Sequence, residues 1–308
     1  MTLGPARNGM DSVNDPRLLA AGAAGLASAV LALWAFRGLP AGPAFFWLSP
    51  MPLFMAGIGF GQGALLGSVG LGMVLMLLLG SGLTAGIWLV AFGLPALALT
   101  MAGLRNGRIE PSMPLAMLGI YPAAVLLMVA FVASDAEGGL DGVLRGLAAG
   151  GMTRLGMPMD DGFAAQIARF MAGALAFWLA VALAVNGTGA QSLLTRFGMA
   201  SMATPAWREA RLPRWFAVLP VLAGLWFVLA PAGGDALPLG LVTAFLTPFF
   251  FQGLGVIHGL GRDFPARPFL LGGFYAVLVV FIFPVAIFVV GIGLFSQFGW
   301  RPSPPPQI

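Results

Sequence analysis

The sequence predicts an all-α fold, a polytopic helical transmembrane bundle of eight or nine helices. Three observations predict it. Hydrophobic residues make up 59% of the 308 and charged residues 8%, where a soluble domain carries about 25% charged. Apolar runs close to the ~20 residues needed to cross ~30 Å of hydrocarbon recur along the whole chain. Those runs are continuous and lack the alternation of barrel strands, and a helix satisfies its own backbone groups in lipid.

Nine apolar segments can be read, at about 18–36, 44–60, 62–80, 83–103, 114–133, 164–186, 215–231, 237–259 and 269–296. Residues 1–17 form a cytoplasmic segment that mixes Arg7 and Arg17 with Asp11 and Asp15. No cleavage site follows the first apolar run, so that run reads as an uncleaved helix. The second segment begins FFWLSPMPLF, and its prolines bend it or make it re-entrant. The ninth is long and carries Pro284 in its middle, which tilts, kinks or splits it; hence eight or nine crossings within one membrane domain, 18–296. With the N-terminus inside and nine crossings, ten arginines fall on inner segments and four on outer ones. That asymmetry favours a cytoplasmic N-terminus. A split at Pro284 would return the Pro-rich tail, 297–308, to the same side.

Two connections are long. The outer loop, 134–162, holds five acids against two arginines. Leu140, Val143, Leu144 and Leu147 within it have helical spacing and predict a short amphipathic helix lying on the outer surface. The inner loop, 187–214, is a basic connector, with Asn186 capping the helix before it.

Composition also excludes chemistry. There is no cysteine, so disulfides, thiolate metal sites and a cysteine nucleophile are ruled out. All fifteen basic residues are arginine, which removes a phosphate-loop lysine and a Schiff base. The net charge of +4 is spread over loops and is no nucleic-acid footprint. No G-x-S-x-G or H-E-x-x-H motif occurs, and Asp235 is a single acid in a short outer turn. Nothing proposes an enzyme or a cofactor.

Small residues form three faces: Ala21, Gly25 and Ala29 in segment 1; Gly59, Gly63 and Gly67 at the junction of segments 2 and 3; and Ala168, Ala172, Ala176, Ala180 and Ala184 in segment 6. In lipid, close approach of small residues drives helix association. These faces pack within the chain, or one of them, most plausibly that of segment 1, docks on a partner membrane protein. Arg169, three residues after Gln166, lies inside segment 6. A charge there snorkels or is paired. Gln166 and Arg169 either reach the headgroups or line an outward pocket, with Asp160 and Asp161 as counter-ions.

The stretch FLTPFFFQGLGVIHGLGRDFP places Gln252 on a helix face with Gly255 and Gly259, a polar group on a packing seam. His258, the only histidine, comes at the helix end before a basic loop. Without a second His, Cys or nearby Glu it makes a poor metal site. It reads as an interfacial residue, as a hydrogen-bonding partner of another helix or as a proton-linked group.

Gln252, Gly253 and His258, then Pro284, then Gly293, Leu294 and Arg301 resemble the motifs of the YybS-like family of predicted bacterial inner-membrane proteins. Segment order is similar over nearly the whole chain. The acid usual in the last motif is absent here, where Ser296 and Gln297 stand. That family is distantly similar to substrate-binding subunits of energy-coupling-factor transporters. The resemblance implies a docking face at Ala21, Gly25 and Ala29 for a coupling membrane subunit with its ATPases. It also implies a solute site opening outward near Gln166, Arg169 and the acidic loop. The leading expectation is thus a non-catalytic, transport-related binding subunit. The rival is a membrane scaffold or assembly factor acting through helix contacts.

Overall fold

In a computed structural model, residues 15–105, 107–156, 161–205, 210–231, 233–260 and 265–299 are described. They form eleven helices: α1 (Pro16–Phe36), α2 (Gly42–Phe60), α3 (Gln62–Leu79), α4 (Gly82–Gly103), α5 (Ser112–Val132), α6 (Gly139–Arg154), α7 (Asp161–Arg196), α8 (Arg214–Leu229), α9 (Ala236–Leu260), α10 (Arg267–Val280) and α11 (Ile282–Phe298). A two-residue antiparallel ribbon, Leu104–Arg105 with Arg108–Ile109, turns the chain between α4 and α5. Seven helices (α1 to α5, α7 and α9) are long and apolar enough to cross a membrane. The chain is therefore a polytopic helical membrane protein in contact with a lipid bilayer.

The expected eight or nine full crossings are not all of that length. Segment 7 appears as α8, whose first turn, Arg214–Ala217, is a 3-10 turn. Segment 9 is split into α10 and α11 at Phe281 (φ −117°, ψ 51°). The cause is Pro284 at the third position of α11. It offers no N–H to the carbonyl of Val280, and its ring crowds that carbonyl. Segment 2 is only nicked, at Ser49 before Pro50. In α4, residues Leu89–Gly93 form a π turn directly before Pro95. Proline likewise lacks the N–H that a regular helix needs there.

Segment 6 is corrected. α7 runs 36 residues, to Arg196, so the first ten residues of the expected inner loop are helix. Asn186 is not a cap: it lies inside α7, 2% exposed. The amphipathic helix of the outer loop is present as α6. It buries Leu140, Leu144 and Ala148 and leaves Leu147 exposed. Residues at i, i+4 and i+8 form its inward stripe, and Leu140 and Leu144 join a core of helix residues.

The chain divides into two compact units, Met1–Glu110 with Val181–Pro205, and Pro111–Ala180 with Ala206–Ile308. Unit 1 is organised on α1. A Cβ on Gly25 would meet the Ser68 carbonyl oxygen of α3 at 2.6 Å, and one on Gly67 would meet Ala21 at 3.1 Å. Ala21 and Ala29 are buried. Of the two readings of this face, packing within the chain or docking on a partner, the first describes α1 here: its small residues admit α3 to near backbone contact. Of the second small-residue face, Gly59 backs onto Leu194 and Gly63 meets open space.

Unit 2 is organised on α9. Gly240 of α9 lies against Ala172 of α7, Gly119 of α5 against the Ala244 carbonyl and Pro248, and Gly253 against Val289 of α11. The first part of the alanine ladder, Ala168, Ala172 and Ala176, is buried in this core with Leu126, Ala223 and Ala244. Small residues at each crossing let one helix pack closely against three others.

Candidate functional site

Charge concentrates in unit 2 where α9 begins. Asp235 directly precedes α9, and its carbonyl accepts from the Leu239 N–H at 3.0 Å. Its carboxylate thus stands at the positive end of the helix dipole. Nη2 of Arg169, in the third turn of α7, lies 2.8 Å from Asp235 Oδ2. The guanidinium is also 5.9 Å from the ring of Phe170 and 5.8 Å from that of Phe227, within cation–π range. The Asp235 side chain is 12% exposed and that of Arg169 44%. α7 and α9 run parallel here, as the pairs 169–235, 172–240 and 173–243 show. Their starts are therefore neighbours.

Asp235 is not a solitary acid in a turn; it is a counter-ion of Arg169. Asp160 lies outside the described residues, as do residues 1–14 and most of the C-terminal tail. Asp161 opens α7, and its side chain is likewise outside the description. Gln166 is exposed.

Asp141 of α6 joins the cluster. Burial raises its pKa from the ordinary 3.8; the Ala236 N–H and Arg145 act against that rise, and the charge of Asp235 adds to it. A carboxyl whose folded pKa is raised holds its proton longer in the folded state than in the unfolded one. Its contribution to stability is therefore full below the unfolded value and declines as pH rises through the window from 3.8 to the raised value. Asp141→Asn is expected to flatten this slope and to stabilise the protein at neutral pH. Thermal unfolding between pH 3 and 8 measures it.

A second polar group ties α9 to α11. Gln252, 5% exposed, donates from Nε2 to Ser296 Oγ (2.9 Å), Gln297 Oε1 (3.1 Å) and the Gly293 carbonyl (3.3 Å). Its Oε1 accepts from the Leu212 N–H at 3.4 Å. Gln297 Nε2 donates to the Leu212 carbonyl at 2.8 Å, and Arg211 donates to the Ser296 carbonyl. Ser296 and Gln297 suit this clasp. An amide accepts from Gln252 and donates to Leu212, whereas a carboxylate only accepts. The seam at Gln252 runs through Gly253 and Gly293. Gly259 is off it, with nothing within 4 Å of a Cβ built there.

His258 Nε2 lies 2.7 Å from Tyr275 Oη of α10, and Arg267 Nη2 donates to the His258 carbonyl at 3.4 Å. The histidine thus bonds a neighbouring helix near the end of its own. Pro284 acts through the break at Phe281.

A third polar group, in unit 1, was not foreseen. Trp88 Nε1 donates to Ser28 Oγ (3.1 Å) and Ser49 Oγ (3.2 Å), and Ser49 Oγ donates to the Ser28 carbonyl at 3.0 Å. All three residues are fully buried. They come from α1, the nick in α2 and the residue before the π turn of α4. Two serines and a tryptophan in three separate apolar runs give no sequence signal. Trp88→Phe removes the shared donor and is expected to cost about 1 kcal/mol, the scale of interhelical hydrogen bonds in lipid. Unfolding in a mild detergent titrated with a harsh one measures it.

No family model, curated protein or solved structure matches the chain. Fold and polar groups define its class, a polytopic helical membrane protein.

Proposed function

We propose that this chain is a transport-related membrane protein that binds a small solute bearing a carboxylate or phosphate at the charged end of unit 2. One observation carries the reading. In a chain with 8% charged residues, Arg169, Asp235 and Asp141 converge on the first residues of α9. Ionisable groups within membrane helices are costly and mark functional sites. Asp235 engages Arg169 through Nη2, and a guanidinium has further N–H donors suited to a planar anion. The start of α9 adds backbone N–H groups of the same polarity. Under the resemblance to the YybS-like family, partner subunits supply the energy. Their contact lies elsewhere than the Ala21–Ala29 face, which α3 fills.

A second reading, a non-catalytic scaffold, is favoured by the pairing itself, because Asp235 already neutralises Arg169 inside the chain. Native mass spectrometry of the protein released from lipid nanodiscs separates the two. A bound anionic metabolite that disappears in Arg169→Gln supports the solute reading. A ligand-free protein that still co-purifies with another membrane protein supports the scaffold.

A further inference from the structure

We propose that the nick in α2 is a binding site for one water molecule, held inside unit 1 by the side-chain oxygen of Asn186 and the main-chain carbonyl of Leu48. The proposal is independent of the charged cluster in unit 2. Both amide hydrogens of Asn186 are in use: Nδ2 donates to the Trp47 carbonyl and to the Ala182 carbonyl, each at 2.7 Å. Turning the amide over would set its oxygen against two carbonyl oxygens, so these bonds fix its orientation. Oδ1 then receives no hydrogen from any described residue, in a side chain 2% exposed.

Leu48, next to Trp47, lacks its regular helical donor for a different reason. The helical N–H for its carbonyl would come from residue 52, which is proline. Asn186 Oδ1, which has no donor among the described residues, and the Leu48 carbonyl, which has no i+4 donor, thus neighbour the Trp47 carbonyl that Asn186 already holds. The occupant that suits them has two hydrogens to donate and no net charge. Residues 16–103 and 181–196 contain no Asp or Glu, so an alkali cation there would have no carboxylate to offset its desolvation. Water meets both requirements. Ordered water is a general means by which proline-interrupted membrane helices satisfy freed carbonyls.

The test is X-ray radiolytic hydroxyl-radical footprinting of the full-length protein in nanodiscs. Phe54 is the reporter: it is 3% exposed, and its ring lies 3.8 Å from a Cβ built on Gly187, beside Asn186. Phe249, fully buried in unit 2, is the dry control. Phe54 is expected to be oxidised at least fivefold faster than Phe249, and Asn186→Leu is expected to bring it down to the rate of Phe249. Asn186→Leu also frees the Trp47 and Ala182 carbonyls. Pro52→Ala therefore serves as a second variant, since it supplies the missing N–H to Leu48 and keeps Asn186. It too should cut Phe54 oxidation at least fivefold. Equal rates for Phe54 and Phe249 in the wild type, or undiminished Phe54 oxidation in Pro52→Ala, overturn the proposal.

Discussion

Gly253→Ala is expected to be among the most destabilising single-methyl substitutions in this protein, at a cost of about 3 kcal/mol or more. A Cβ at Gly253 would fall 2.0 Å from the Val289 carbonyl oxygen, and one at Gly293 would fall 2.0 Å from that of Phe249. The two glycines form a reciprocal crossing of antiparallel helices, each seating the backbone of the other. The obstacle is main chain, which cannot rotate aside as a side chain can, so α9 and α11 would have to separate. Separation would also pull Gln252 from Ser296 and Gln297, leaving buried amides without partners. Gly293→Ala should have a similar effect, and the double variant should cost less than the sum, because both act on one crossing. Gly259→Ala, on the same helix with open space around it, should be neutral or slightly stabilising. Melting temperatures in one detergent compare all four. Equal melting of Gly253→Ala and Gly259→Ala would contradict the close crossing.

The second large effect is expected at the ion pair. Asp235→Ala leaves Arg169 without its carboxylate at the start of α9, which should cost about 1–3 kcal/mol. That lies between the values for exposed and buried pairs, in keeping with exposures of 12% and 44%. Arg169→Ala should cost less, because Asp235 keeps the α9 dipole. The exchanged pair, Arg169→Asp with Asp235→Arg, restores opposite charges but sets an arginine against the positive end of α9. It should recover part of the stability lost in either single reversal. Its effect on binding differs between the two functional readings. A solute anion held by Arg169 would be lost in the exchange even where folding recovers, whereas a scaffold would recover along with its fold. Melting temperature and ligand retention on the same samples separate these outcomes.

The membrane helices that the sequence makes plain are those set by length and greasiness. Segments 1 to 5 and 8 reappear with ends shifted by a few residues, because an uninterrupted apolar run in lipid has only the helix available to it. Segment 6 was cut short at Asn186, since a polar residue at the end of an apolar run reads as an exit. In the folded chain Asn186 is buried against the Trp47 carbonyl beside the α2 nick, a contact across 139 positions. To Arg169 the local sequence offers Asp160 and Asp161, whose side chains lie outside the described residues; the parallel course of α7 and α9 brings it a carboxylate from 66 positions away. Gln252 was legible as a polar group on a seam, because an amide among phenylalanines needs a partner. That its partners are Ser296, Gln297 and the Leu212 backbone depends on how α11 folds back after Pro284, which no local pattern encodes.

Neither unit is one continuous piece of chain. Residues 1–110 leave the ribosome first, and 181–205 complete the same unit only after 111–180 have been made. At ~5–20 residues per second, α1 to α4 are in the membrane for several seconds before Asn186 arrives to take the Trp47 carbonyl and before Leu194 arrives to cover Gly59. The order of synthesis therefore differs from the order of assembly. A single cut in the gene cannot release either unit whole: a product ending at residue 180 would carry the four helices α1 to α4 of unit 1 with an unfinished flank.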